Sequence, residues 1–393
     1  MRDGWVETNL LDVVEVLDRF RKPINATERE SRQGAVPYYG ANGQTGWIDD
    51  YLFDEELVLL GEDAIDFADP TARKAYLIAG PSWVNNHAHV LRAKIDKVES
   101  YFLAESLNKV DFSQYVSFGT RSKLTQASMN GITIPLPPLP EQKRIVDLVS
   151  SVDSYIEALQ QQLESAKSSR NAVLHELLIA GGDDWVETTL GEAAEVIMGR
   201  QLSPSKKLGT RPRPYIRAAN IGAWGINLED IYEMDFTEIE EERFACQVGD
   251  TILVEGGNEK SVGCPALITE KESGLCIQNT VIRSRSRNSK ALDPNFQYHL
   301  LRFMFWRGDF AQLCAGTTIM HLGQKRAEVV PISIPPLGEQ LNIVDTISKF
   351  DSAVTYSEET LISAKSLRSG LLSDLLSGEH EIPASYDKVI GAA

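Results

Sequence analysis

Residues Pro138 to Leu178 read PLPEQKRIVDLVSSVDSYIEALQQQLESAKSSRNAVLHELL, and the pattern returns at Pro336 to Leu376 as PLGEQLNIVDTISKFDSAVTYSEETLISAKSLRSGLLSDLL. From Ile145 the first copy places Val149, Val152, Ile156, Leu159, Leu163, Ala166, Val173 and Leu177 on steps of four and three, broken only by Arg170. Apolar residues at that spacing make the seam of a coiled coil. The second copy keeps the register 198 residues on, with Ile343, Ile347, Phe350, Val354, Leu361, Ala364, Leu371 and Leu375. Its exceptions are Ser357 and Arg368, and Arg368 falls where the first copy has Arg170. A single apolar stripe can be buried on a globular core. The strict two-position width and the matched register favour two long helices packed stripe to stripe.

A shorter repeat opens each half. Gly4-Trp-Val-Glu-Thr-Asn-Leu10, followed by Glu15-Val16, answers Asp184-Trp-Val-Glu-Thr-Thr-Leu190, followed by Glu195-Val196, at an offset of 180. The second globular segment is therefore 18 residues longer than the first. The pattern predicts a tandem duplication of α+β class, with a pseudo-twofold relation between its halves. A mixed globule over 1–135 is followed by a long helix over 136–182, a second globule over 183–333, a second long helix over 334–380 and a tail over 381–393. In the first globule, Tyr38 to Gly43 reads as a loop, Glu56 to Gly61 and His87 to Ala93 as strands, Lys94 to Val110 as a helix, and Gly119 to Lys123 as a basic turn. In the second, Pro214 to Ala219, Thr251 to Val254 and Gln278 to Arg283 read as strands, Gly256 to Asn258 as a turn, and Asn295 to Leu313 as a helix. Proline-rich pieces, Ile134 to Pro140 and Ile332 to Leu337, read as stiff extended joints, because proline locks φ yet is tolerated at a helix's first position.

Hydrophobic residues at 42% of 393 are enough for ordinary cores. No apolar run approaches the ~20 residues of a membrane helix, and MRDGWVETNL lacks a signal-peptide hydrophobic region, so a cytoplasmic protein without a membrane partner is expected. Cys246, Cys264, Cys276 and Cys314 are widely spaced with no CxxC, which argues against a zinc site or a disulfide frame. The net charge of −17 taken alone argues against nucleic acid. Distribution qualifies this, because Arg200, Lys206, Lys207, Arg211, Arg213 and Arg217 form a run with no acid among them, and Arg283, Arg285, Arg287 and Lys290 form another. Local clusters, not net charge, make a phosphate-binding face, although a basic run can also be a solvated surface.

With both repeats in view, the chain resembles the specificity subunit of type I restriction-modification systems over nearly its whole length. The residues that carry the resemblance are Tyr38 to Gly46 with Ile48 to Phe53, Asn86 to Arg92, Pro214 to Ile221, Gly316 to Thr318 and the two PPLxEQ openings at Pro137 and Pro335. The resemblance implies two target-recognition domains held apart by paired antiparallel helices, each reading one half of a bipartite site on double-stranded DNA. It implies two methyltransferase subunits packed on the helices and restriction/translocase subunits beside them. S-adenosylmethionine, ATP and Mg²⁺ are then expected on those partners, and no cofactor on this chain. Geometry permits the arrangement: the seam would span about 50 Å at ~1.5 Å per residue, and half-sites one turn apart are separated by ~34 Å. Unlike globules predict an asymmetric site.

A glycine-rich cofactor loop after a strand, an N/D-P-P-Y/F tetrapeptide and a P-loop are all absent, so a non-catalytic subunit is expected. His87 and His89 could place two imidazoles on one strand face, and a metal-dependent hydrolase is the alternative from another class. Asp250 with Glu259 and Lys260 imitates a nuclease motif but lacks the acid two positions before the lysine. Two other readings are a DNA-reading adaptor of another methyltransferase-based defence system and a helical scaffold without nucleic acid.

Sequence reading needs donors and acceptors on loops or strands that reach base edges, with basic groups on phosphates around them. In the first globule this selects Tyr38, Tyr39, Asn42, His87, His89, Arg92, Arg121 and Lys123. In the second it selects Arg211, Arg213, Arg217, Asn220, Asn258, Lys260, Arg283, Thr317, Thr318, His321 and Lys325. A self-satisfied turn is the competing reading of Tyr38 and Asn42.

Overall fold

The two offsets of the repeat meet in a pair of short antiparallel ribbons. Val6–Asn9 pairs with Thr133–Leu136, Val6 opposite Leu136, and Val186–Thr189 pairs with Pro331–Ile334, Val186 opposite Ile334. The proline-rich pieces expected to be stiff extended joints are extended as strands, each stitched to the segment that opens its own half. The computed structural model describes residues 4–69, 71–116, 122–179, 181–202, 211–222, 225–314 and 320–388. Its chain forms two compact units, Met1–Gln160 with Glu359–Ala393, and Gln161–Glu358. The division runs through the middle of both long helices, so each unit holds one globule with half of each helix.

Every sheet of the first unit has its counterpart in the second. In the first unit an antiparallel sheet runs Val14–Val16, Ala88–Ala93, Leu57–Gly61, Ala75–Ile78; in the second the order is Ala194–Met198, Val281–Ser286, Thr251–Val254, Pro265–Leu267. A further sheet joins Val36–Gly40 antiparallel to Gly43–Ile48 and parallel to Pro81–Val84, with Tyr38 opposite Trp83. Its counterpart joins Pro212–Ile216 antiparallel to Tyr232–Asp235 and parallel to Cys276–Ile277, with Tyr215 opposite Cys276. The longer second globule places additional structure between Tyr215 and Thr251, namely the hairpin Ile221–Gly222 with Gly225–Ile226 and the helix Glu238–Phe244. The fold is therefore α+β and internally duplicated.

Several local expectations shift for identifiable reasons. Tyr38 to Gly43 is not a loop but a hairpin, Gly40 pairing with Gly43 around the turn at Ala41 and Asn42. The helix expected from Lys94 is Ser100–Lys109. The helix expected over Asn295 to Leu313 is two, Pro294–Arg307 and Asp309–Leu313, because Gly308 takes a left-handed φ of 81° and ends the first one. Gly256–Gly257, expected as part of a turn, pairs with Met320–His321.

The long helices are Leu139–Ile179 and Leu337–Ser377. In the first unit Asp153 meets Arg368 on the second helix, and Asp147 and Arg144, nearer the start of the first, meet Tyr386 and Asp387 of the tail beyond it, so one segment runs up as the other runs down. In the second, Lys167 meets Glu358 and Arg170 meets Asp351 in the same antiparallel sense. The seam is buried at Ile145, Val149, Ile156, Leu163, Ile343, Ile347, Val354 and Leu361, while Val152 and Phe350 are partly covered. Burial of a side chain of this size stabilises by about 1.5–3 kcal/mol. Each seam is shared with a globule: Ile145, Val149, Leu372, Leu375 and Leu376 join the first core, and Leu174, Leu178, Ile343 and Ile347 the second. At the end of the first helix the burial passes from the expected Val173 and Leu177 to Leu174 and Leu178.

Candidate nucleic-acid interface

A side chain that reads DNA must be exposed and have hydrogen-bonding capacity to spare. Tyr38 fails this, since strand alternation points it inward. It is 1% exposed among Ile24, Ile48 and Trp83, under the guanidinium of Arg29 at 4.8 Å. Tyr39 packs partly buried, with its ring centroid 6.1 Å from that of Tyr76. Asn42 stands exposed at the hairpin turn, its amide donating to the Ala64 carbonyl at 3.0 Å.

The two histidines part company. His87 lies in the turn before the strand Ala88–Ala93, exposed, with Nδ1 2.7 Å from Asp63. His89 is 1% exposed and held between Asp18 at 2.5 Å and the Leu124 carbonyl at 2.9 Å. Among the described residues no three His, Cys, Asp or Glu side chains are grouped to hold a metal ion, so the hydrolase reading finds no donor set. Asp250 of the imitated nuclease motif is buried against Arg285 at 2.6 Å. His89 is a core residue with both ring nitrogens engaged, which leaves it no free face for a base edge.

Most of the expected guanidiniums are already paired within their own globule. Arg92 grips Glu55 with two bonds of 2.6 Å and Glu15 with one of 2.7 Å. Its hydrogen bonds hold the Glu55 carboxyl below the usual carboxylate range. Lys123 reaches Glu62 at 2.8 Å. Three arginines of the basic run in the second globule meet the helix Glu238–Phe244, while Lys206 and Lys207 lie outside the described residues. Arg211 pairs with Glu238 at 2.8 Å and Glu241 at 2.6 Å, Arg213 with Glu241 at 2.8 Å, and Arg200 with Glu240 at 2.8 Å. A backbone hydrogen bond at Thr237 and the Arg200 guanidinium outweigh partial desolvation and bring the Glu240 carboxyl down to about 2. Arg217 pairs with Asp230 and lies 4.1 Å over the Tyr232 ring.

Two more candidates prove structural. Asn220 is 2% exposed and closes its own turn, accepting from the Arg217 amide at 3.0 Å and donating to the carbonyls of Asn227 and Asp230. Arg283 is 2% exposed and binds Glu195 with the carbonyls of Arg243 and Ala245. Both fold the globule and neither can reach a base. Arg121, Thr317 and Thr318 lie outside the described residues.

The remaining candidates of the second globule gather on one ribbon. Gly256 opposite His321 brings the turn of Asn258 and Lys260 beside His321 and the helix Gln324–Glu328, which carries Lys325. Lys260 and Lys325 are exposed, and His321 Nδ1 lies 3.1 Å from Glu255. Asn258 takes the amide of Lys260 at 3.0 Å, which fixes the turn. Lys260 and Ser261 also line an open groove with Ala218, Ile221, Gly222 and Phe305.

One cluster in the first globule escaped the sequence reading. Lys22, Arg29 and Arg32 surround the buried rings of Tyr38 and Trp83 at 4.8–6.0 Å, and Arg19 lies 4.6 Å over the half-exposed ring of Phe20. Among the described residues Arg19, Lys22 and Arg29 have no carboxylate partner, whereas Arg32 pairs with Asp49 at 2.6 Å. The signal was present in Arg19-Phe20-Arg21-Lys22, a basic run with an aromatic inside it. Cations on aromatic faces flank the bases of nucleic-acid ligands elsewhere.

The described helices include none long and apolar enough to cross a membrane. A Haemophilus influenzae protein assigned as a type I restriction enzyme specificity subunit, S.HindORF215P, is 27% identical over 360 residues, covering 88% of each chain. The MjaVIII type I restriction enzyme specificity subunit of Methanocaldococcus jannaschii is 19% identical over 63% of this chain and 62% of its own. The fold is shared with the S subunit of a type I restriction-modification system from M. genitalium, at a TM-score of 0.56 and 14% identity over 95% of this chain and 97% of that one. It is shared also with a chain from a structural study of type I complex assembly and conformational transition, at a TM-score of 0.59 and 18% identity over 96% and 98%. The family model described as type I restriction modification DNA specificity domain matches residues 2–167 and again 182–364, once for each half of the duplication, and the chain belongs to that family.

Proposed function

We propose that the chain is a non-catalytic DNA-reading subunit that recognises an asymmetric, two-part site on double-stranded DNA and recruits methyltransferase and restriction/translocase subunits to it. The observation that carries this is a duplication whose scaffold is repeated while its surface is not. The ribbons, the sheets and the helix pairing recur in both units. The exposed groups differ: Arg19, Lys22, Asn42 and His87, with the half-buried Arg29 beside them, in one, and Asn258, Lys260, His321 and Lys325 in the other. Two frames of one topology with unlike exposed polar groups suit two unlike half-sites.

The unpaired cations hold phosphates, and Asn42, His87, Asn258 and His321 supply donors and acceptors for base edges. The long helices carry the partner subunits, and S-adenosylmethionine, ATP and Mg²⁺ belong to those partners. The experiment is methylome sequencing of cells with and without the gene, followed by mobility shifts of the reconstituted complex on the mapped site. A methylated two-part motif that vanishes with the gene is expected. An unchanged methylome together with no shift at low salt would reject the proposal in favour of a scaffold that does not bind nucleic acid.

A further inference from the structure

The glutamine of each PPLxEQ opening lies outside both the seam and the exposed polar groups, yet Gln142 and Gln340 are 0% exposed. In the first unit Gln142 Oε1 accepts the backbone N–H of Glu99 at 2.9 Å, and its Nε2 donates to the carbonyls of Lys97 at 3.0 Å and Pro137 at 2.8 Å. In the second, Gln340 Oε1 accepts the N–H of Asp293 at 2.8 Å, and Nε2 donates to the carbonyls of Ala291 at 2.9 Å and Pro335 at 2.8 Å. Both amide hydrogens and the amide oxygen are engaged each time.

The partners define a joint. Glu99 and Asp293 are the N-cap residues of the globule helices Ser100–Lys109 and Pro294–Arg307. Lys97 and Ala291 lie in the loops before those helices, and Pro137 and Pro335 directly follow the strands that lead into the long helices. One side chain, rooted in the first turn of a long helix, thus clasps the globule at its helix start and the strand that carries it. All three partners are backbone groups, which explains how Lys97 and Glu99 can become Ala291 and Asp293 while the bonds stay the same. Rotation of a globule about this point would break three buried hydrogen bonds at once.

We propose that Gln142 and Gln340 are positioning residues that fix the angle at which each globule is carried by its long helix, and so set the gap length the subunit accepts between half-sites. The gap-length part rests on the two-part reading proposed above; the angular part does not. The test uses the full chain assembled with its methyltransferase partner and duplexes whose mapped half-sites are separated by the native gap, one base pair fewer, or one more. Gln142→Met and Gln340→Met keep the side-chain length but remove the three bonds, and are expected to cut the preference for the native gap about tenfold. Gln161→Met, on an exposed stretch of helix, leaves it unchanged. In parallel, spin labels at the exposed Asp54 and Glu157 of the first unit report the globule-to-helix distance. A narrow distribution that broadens in Gln142→Met, with thermal unfolding still cooperative, is expected. An undiminished gap preference, or a distribution as narrow in the variant as in the parent, overturns the proposal. Should the parent complex methylate all gap lengths equally, the two-part reading fails while the label distances still decide the joint.

Discussion

Arg170 meets Asp351 across the helices of the second unit, Nη1 to Oδ1 3.1 Å, and each partner has its repeat counterpart, 198 residues away, in a pair of the first unit, where Arg368 meets Asp153 at 2.9 Å. The arginines are the two charged breaks in the apolar seam, Ser357 being the other exception. A polar group in such a seam specifies register at some cost in stability. The duplication places one register pin in each unit, contributed by opposite helices.

The surroundings of the two pins differ, and so should their mutants. Arg170 is 1% exposed and shares Asp351 with Arg302, both guanidiniums lying about the Trp306 ring at 5.0 and 4.6 Å. Burial lowers the Arg170 pKa, as does its neighbour Arg302. Asp351→Ala leaves both guanidiniums without their shared carboxylate and should cost the second unit about 3–5 kcal/mol. Asp153→Ala should cost less, because Arg368 keeps Glu105 at 3.3 Å. Urea unfolding followed by tryptophan fluorescence measures both, and equal losses would contradict the difference in burial.

His299 makes the second unit acid-sensitive. Burial, with Arg302 and Arg170 nearby, pushes its imidazole down to about 4 despite the opposing pull of Asp351. In the unfolded chain it titrates near 6.5. Between those values the unfolded state takes up a proton that the folded state refuses, so stability present above about pH 6.5 is lost as pH falls towards 4, by about 3 kcal/mol in all. His299→Gln should flatten this part of the curve. Denaturant midpoints at a series of pH values decide it, and an unchanged slope in the variant would refute the assignment.

The long helices were legible because their burial is one-dimensional: a step of four and three says which side is covered without knowing what covers it. The duplication was legible for a similar reason, since Trp5 and Trp185, or Gln142 and Gln340, need only be counted. Polar side chains on strands were not. Tyr38 and His89 look inward because of hairpin and sheet pairings that join residues far apart in sequence, and a one-residue change of phase would have turned either outward. Arg200, Arg211, Arg213 and Arg217 read as free in the sequence because their carboxylates come later in the chain, Asp230 for Arg217 and Glu238, Glu240 and Glu241 on a following helix for the others. The acidic balance of the chain, which seemed to oppose a nucleic-acid role, is in part these internal partners.

Salt dependence separates the paired cations from the unpaired ones. A cation that holds a phosphate releases counterions, so its loss lowers the slope of log affinity against log salt by about 1. Lys22→Ala, Arg29→Ala and Lys260→Ala should each do this in the assembled complex. Arg211→Ala and Arg213→Ala should leave the slope unchanged, because Glu238 and Glu241 already neutralise them. Fluorescence anisotropy on the mapped duplex across a salt series gives the slopes. The reverse ranking would mean that the pairs open on DNA.

The seam can be tested away from the globule cores. Leu163 and Leu361 are 7% and 9% exposed and belong to neither core cluster. Replacing both with Asp buries charge where only apolar surface was covered. Methylation of the joined site should be lost while near-ultraviolet circular dichroism of the globules is retained. Full methylation by the double variant would show that the helices do not need this stripe.

His87 and His89 stand two residues apart and should respond in opposite ways. His89→Ala removes one of the partners of Asp18, which keeps Arg21 and the Val90 amide, and the partner of the Leu124 carbonyl, a loss of about 2 kcal/mol. Its effect on DNA should follow the fraction of folded protein and nothing else. The His87 ring is exposed and, among the described residues, bonded at Nδ1 to Asp63 alone, so His87→Ala should leave the stability within about 0.5 kcal/mol of the parent. If His87 reads a base, the variant should relax the methylated motif at one position of one half-site. Methylome sequencing of cells carrying each variant distinguishes the two, and a motif altered by His89→Ala at full folded occupancy would reverse the assignment.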